Sequence, residues 1–166
     1  YKKASLIGIV IMYCNQLTGI SAIILFSTFI FEKQSDVMSP SVGTTIIGVS
    51  NLFTGVLSIP LVNCLGRKTI LLYSGLLHSL IDFILALAFY QGWSLISIIC
   101  IITHTKLFQL TMGPVSWVHN AETLTDAAMS AATLHLWIMM FTVGLTTPYL
   151  IGWSPVGTFC LFGALS

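Results

Sequence analysis

The chain has 166 residues, of which 56% are hydrophobic and only 7% charged, with a formal net charge of +1. Soluble domains carry roughly a quarter charged residues, and a mean hydropathy of +0.97 leaves too little polar surface to cover a globule in water. That balance argues against a soluble enzyme or a nucleic-acid-binding surface and predicts an all-α integral membrane protein.

Uncharged runs mark the spans, because a helix needs about 20 apolar residues to cross a bilayer. They predict helices over 4–31, 42–65, 69–90, 95–117 and 128–151, and a sixth over 156–166. The sixth has eleven residues, which rise about 16 Å, roughly half the hydrocarbon core. The expectation is a truncated last helix and, since the chain opens on Tyr1, a cut or processed start. Lys2, Lys3, Arg67 and Lys68 fall on one side of these spans, with Lys33 opposite beside Glu32 and Asp36. The positive-inside rule places the first four in the cytoplasm.

Polar residues inside the spans carry the chemistry. Asn15, Gln16, Thr18, Gly19 and Ser21 cluster near the middle of the first span. Amides are costly in hydrocarbon unless paired, so the cluster faces protein or water. It suits the hydroxyls of a neutral polyol, and it equally suits glue between helices. Asn51 in the second span and Gln109 in the fourth are further amides for the same cavity. Gly113 and Pro114 break the fourth span just before Trp117, and Glu122 stands where it leaves the membrane. Backbone freed at such a break is tolerated where protein or a watery cavity satisfies it.

Other residues suggest less. Cys14, Cys64, Cys100 and Cys160 have no metal or redox spacing and read as small apolar residues. His78, His104 and His135 stand singly on different predicted helices, each expected to bond a neighbour rather than a metal. Gly66-Arg67-Lys68 lacks the glycine spacing of a phosphate loop. With no nucleophile elbow or carboxylate pair either, the expectation is a protein that is not an enzyme and uses no metal or cofactor. Asp82 and Lys106 are charges within spans, each either functional or paired with a neighbouring helix.

Taken in order, these motifs resemble the sugar porters of the major facilitator superfamily. Asn15-Gln16-Leu17-Thr18-Gly19-Ile20-Ser21 followed by Ser27-Thr28-Phe29-Ile30-Phe31 is similar to that family's seventh helix, and Asn51 to an asparagine of its eighth. Gly66-Arg67-Lys68-Thr69 resembles the turn between helices eight and nine. Gly113-Pro114-Val115-Ser116-Trp117 with Ala121-Glu122 resembles the tenth helix, and Trp137 with Pro148-Tyr149-Leu150 the eleventh. Animal facilitators of glucose or trehalose are the nearest in pattern.

The resemblance implies the C-terminal half of a twelve-helix fold, helices seven to twelve, whose partner is a six-helix N-terminal half in the same chain or another. It implies facilitative transport of a hexose or trehalose-like sugar by alternating access, most simply in the plasma membrane, with an organelle membrane as the alternative. Gln16, Asn51 and Trp117 would contact sugar, with Gln109, Asn15 and Ser21 around them. Gly113, Pro114, Arg67, Lys68 and Glu122 would serve gating and structure.

The sequence also departs from the family pattern. Asn15 replaces a glutamine, Ser21 an asparagine, Gln109 a glutamate, Ser116 a proline and Leu136 an asparagine. Asn63 and Cys64 stand where an acid and an arginine are expected, and the loop after Glu122 lacks its arginine. Glu122 is therefore expected to have lost its partner, and the alternative is a half-length relative that no longer transports but serves as a structural or accessory membrane subunit.

Overall fold

The computed structural model describes residues 2–25 and 40–166. The 27–31 motif and the loop bearing Glu32, Lys33 and Asp36 lie outside them. Its helices are α1 (Lys2–Leu17), α2 (20–25), α3 (Pro40–Leu65), α4 (Arg67–Gln91), α5 (Ser94–Leu110), α6 (Met112–Thr123), α7 (Asp126–Trp153) and α8 (Pro155–Leu165).

Two expected spans are interrupted. In the first, α1 stops at Leu17, and Gly19 turns the chain with φ +76° before α2 begins. That left-handed conformation suits glycine alone among common residues. The fourth span divides at Thr111, with φ −123° and ψ −85°, rather than at Gly113-Pro114. Pro114 explains the offset, because its ring clashes with the carbonyl four residues earlier, at Leu110, and offers no N–H to it. A Cβ on Gly113 would lie 3.1 Å from the Phe108 ring, so the bend also needs a residue without a side chain there.

Short connections keep the other helices adjacent. Gly92, at φ 69°, ends α4, and the Trp93 N–H donates to the Ala88 carbonyl at 2.9 Å. This left-handed cap consumes carbonyls that the helix end would otherwise leave unpaired. Ser154 accepts from the Gly157 N–H at 3.1 Å and Pro155 opens α8, a strong helix start.

Helix α4 is the hub, packing most heavily on α8 and α5, while α1 lies on α7 and α3 on α5. Small residues allow the closest approaches. The Ser79 hydroxyl donates to the Gly163 carbonyl at 2.5 Å, and the Asn120 amide donates to the Gly8 carbonyl at 3.2 Å. Ile23, Leu85, Ile101 and Phe159 form a fully buried centre joining α2, α4, α5 and α8. The outer faces are the reverse of a soluble protein, with Leu52, Phe53, Leu72, Leu76 and Tyr149 exposed. Four helical stretches, Ser41–Val62, Arg67–Gln91, Ser94–Thr123 and Asp126–Trp153, are long and apolar enough to cross a membrane.

Candidate functional site

The break in the fourth span builds a cavity. About 320 Å³ of space lies between α3, α5 and α6, lined by Gly55, Ser58, Phe108, Gln109, Gly113, Pro114 and Trp117. Four residues singled out from the sequence, Gln109, Gly113, Pro114 and Trp117, thus meet at one place. Gly55 on α3 faces Gln109, and even a Cβ there would meet its amide nitrogen at an ordinary contact distance of 3.6 Å. Asn51, Gly55 and Ser58 recur at i, i+4 and i+7, one face of a helix. The Asn51 carbonyl oxygen is buried, with no hydrogen-bond partner among the described residues. Such an acceptor costs about 1–3 kcal/mol unless something pairs with it. Trp117 is 39% exposed, so its indole is open to a ligand or to another part of the protein. Larger grooves, such as one of about 430 Å³ beside Leu25 and Trp137, have almost wholly apolar linings.

The first-span cluster sits elsewhere. Asn15, Gln16, Thr18 and Ser21 are all buried around the α1–α2 break and do not line the 320 Å³ cavity. The Ser21 hydroxyl donates to the Gln16 carbonyl oxygen, and the Thr18 hydroxyl donates to the Asn15 carbonyl at 2.8 Å. In this state the Gln16 side-chain oxygen is engaged within the cluster.

The expectation that Glu122 lacks a partner is corrected. Its carboxylate is paired with the Arg67 guanidinium, which joins the start of α4 to the end of α6. The missing loop arginine is replaced from the other side, although Lys68 stays exposed. Half-exposed pairs of this kind contribute about 0–1 kcal/mol.

The histidines also do not stand singly. His78 and His104 meet edge to face with ring centroids 4.6 Å apart, fully buried beside Asp82. His104 Nε2 lies 3.3 Å from Asp82 Oδ1, too oblique for a hydrogen bond, and 3.1 Å from the Thr18 carbonyl. His78 Nδ1 lies 2.7 Å from the Ser74 carbonyl. Asp82 thus faces His104 rather than Lys106, which lies two residues on and about 200° around α5. The signal was present in the sequence: Ser74, His78 and Asp82 recur every four residues, which places them along one helix face. Among the described residues, no three His, Cys, Asp or Glu side chains converge to hold a metal ion.

A polar cavity at a helix break inside an apolar helical bundle defines a membrane transporter type of site. The family model described as sugar (and other) transporter matches residues 1–166, and the chain belongs to that family, the sugar porters of the major facilitator superfamily. It is 30% identical over 174 residues to the sugar transporter ERD6-like 6 of Arabidopsis thaliana, covering 95% of this chain and 36% of that protein. It is 30% identical to the facilitated trehalose transporter Tret1 of Drosophila erecta, covering 96% of this chain and 20% of that protein. It is 33% identical to the solute carrier family 2, facilitated glucose transporter member 3 of Gallus gallus, covering 90% of this chain and 31% of that protein. The fold matches the major facilitator superfamily proton:xylose symporter XylE bound to 6-bromo-6-deoxy-D-glucose, with a TM-score of 0.85, 23% identity, and coverage of 97% of this chain and 37% of that one. The chain therefore spans between a fifth and about a third of the length of these curated relatives. It is an integral, multi-pass membrane protein whose relatives are transporters rather than enzymes.

Proposed function

We propose that this chain is the C-terminal half of a facilitative transporter for a neutral sugar, a hexose or a trehalose-like disaccharide, working by alternating access with six further helices. The observation that carries the reading is the cavity joining Gln109 and Trp117 at the α5–α6 break, with the unpaired Asn51 amide on the adjoining helix. A pyranose presents CH-rich faces to an indole and a hydroxyl rim to amides, so the two kinds of side chain suit the two kinds of surface. Six helices supply one wall of such a site, and the second half supplies the other.

Gln16 joins the site by exchange. A sugar hydroxyl can take the place of the Ser21 hydroxyl at the Gln16 carbonyl oxygen, leaving no acceptor unpaired at any stage. Such like-for-like exchange gives weak and releasable binding, because each net hydrogen bond contributes only about 1 kcal/mol. Asn15 and Ser21 surround this contact, while Gly113 and Pro114 provide the bend. Arg67, Lys68 and Glu122 belong to the cytoplasmic gate, and the plasma membrane is the simplest setting. No metal or cofactor is required.

The alternative of a non-transporting accessory subunit rested on lost gate charges. Arg67 beside Glu122 corrects one of these losses, while Asn63 and Cys64 remain uncharged. The test is uptake of labelled D-glucose and trehalose into liposomes carrying the native polypeptide that contains this chain. Saturable uptake of either sugar, dissipating a gradient without an ion gradient, supports the reading. Intact insertion with uptake no faster than empty liposomes rejects it.

A further inference from the structure

A second polar centre lies beside the cavity, with the His78 ring 6.1 Å from the ring of the cavity-lining Phe108. Asp82 and His78 on α4 meet His104 on α5, and all three are fully buried. Both Asp82 oxygens, His78 Nε2 and His104 Nδ1 have no hydrogen-bond partner among the described residues. Ionisable groups at membrane depth are costly and are commonly functional, often as proton sites. Among the described residues, the other titratable side chain buried beside them is Cys100, one turn before His104 on α5. Gly163 of α8 lies against Asp82 and the Phe108 ring of α5 against His78, and neither titrates. Cys160 on α8 and Cys64 on α3 are exposed, and Cys14 on α1 is half-buried.

The cluster reaches the α1–α2 break through one atom. His104 Nε2 faces two acceptors, Asp82 Oδ1 and the Thr18 carbonyl, and can offer only one N–H. With one extra proton on the pair its net charge is zero, and the Nε2 proton is free to serve Thr18. Without it, a negative charge remains inside the bundle and draws that N–H away from Thr18. The carbonyl at the end of α1 then loses its partner, and the turn between Gln16 and Ser21 loosens.

We propose that Asp82 and His104 form a proton-binding latch that fastens the α1–α2 break through the Thr18 carbonyl, and that loss of the proton releases Gln16 for sugar. This rests on the reading of Gln16 as a sugar contact. In the latched state Gln16 is buried and engaged by Ser21, so latch and sugar compete for the same conformation. Because coupling between two sites is reciprocal, sugar expels the proton and affinity rises with pH.

The test uses the native polypeptide in liposomes, with ¹³C-labelled histidine and threonine followed by NMR between about pH 5 and 8, where imidazoles titrate. The chain has four histidines, so His104 can be assigned by substitution. The Thr18 carbonyl resonance is expected to move in step with the His104 titration, and Asp82→Asn is expected to shift or abolish both. Affinity for D-glucose or trehalose should rise on the order of tenfold across this range in the parent protein. It should become independent of pH in Asp82→Asn and in His104→Gln, which keeps a donor but cannot titrate. If Asp82→Asn fails to fold, the His104→Gln comparison decides alone. A Thr18 carbonyl that ignores the His104 titration overturns the latch, as does a pH dependence that survives both substitutions. If neither sugar binds while His104 still moves Thr18, the sugar reading falls and the latch stands.

Discussion

Trp117 and Ser21 are the residues whose removal separates contact with ligand from support of the fold. The Trp117 indole is partly open and lines the cavity, so shortening it leaves little unpacked. Trp117→Leu should raise the KM for sugar about two- to tenfold, the worth of an aromatic face beyond its buried area, with insertion unchanged. Concentration-dependent uptake and surface labelling check this together. Ser21→Ala acts in the opposite sense. It leaves the buried Gln16 carbonyl oxygen without its donor, which costs about 1–3 kcal/mol when the site is empty. A sugar hydroxyl restores that bond, so the variant should melt earlier than the parent but be stabilised more by added sugar. A thermal shift with and without ligand reads both effects.

At the scale of elements, the breaks are the features to perturb. Gly19 carries two constraints, a positive φ and a Cβ position 2.9 Å from the Phe162 ring. Gly19→Ala should cost about 1–2 kcal/mol from backbone strain alone, plus the displacement of α8. Adding Phe162→Leu should recover the second part and not the first, a difference visible in melting temperature. Much of this architecture was legible in the sequence. The apolar composition announced an all-helical membrane protein, and the Gly-Pro pair announced a bend near Trp117. Its placement at Thr111 was less legible, because the clash of Pro114 acts one turn upstream. The interruption at Thr18-Gly19 lay inside a polar cluster that suited a ligand or helix glue equally, and only a neighbour such as Phe162 decides the turn. Asn51 and Gln109 were both expected at one cavity, but only Gln109 lines it, because how α3 lies on α5 decides which α3 residues reach it. The His78, Asp82 and His104 cluster joins residues up to 26 positions apart, so no short motif contains it. Only the four-residue rhythm along α4 hinted at it.

At the scale of the molecule, the Arg67–Glu122 pair ties the start of α4 to the end of α6. Its net worth is about 0–1 kcal/mol, yet a transporter balances two states separated by only a few kcal/mol. Reversing one charge, Arg67→Glu or Glu122→Arg, should therefore slow exchange severalfold with little loss of stability. The double exchange should restore the rate. Tracer exchange at low salt is the measurement, and the difference should shrink as ionic strength rises.

The seating of α8 has a consequence for how the protein is made. Phe162 fills the hollow above Gly19 and Gly163 lies against Asp82, yet α8 leaves the ribosome only after α1 to α7. Until then a carboxyl group in the middle of α4 has no cover on that side. Stalling before Pro155 should leave an inserted but uncapped intermediate, recognised and degraded as one that exposes Asp82 to lipid.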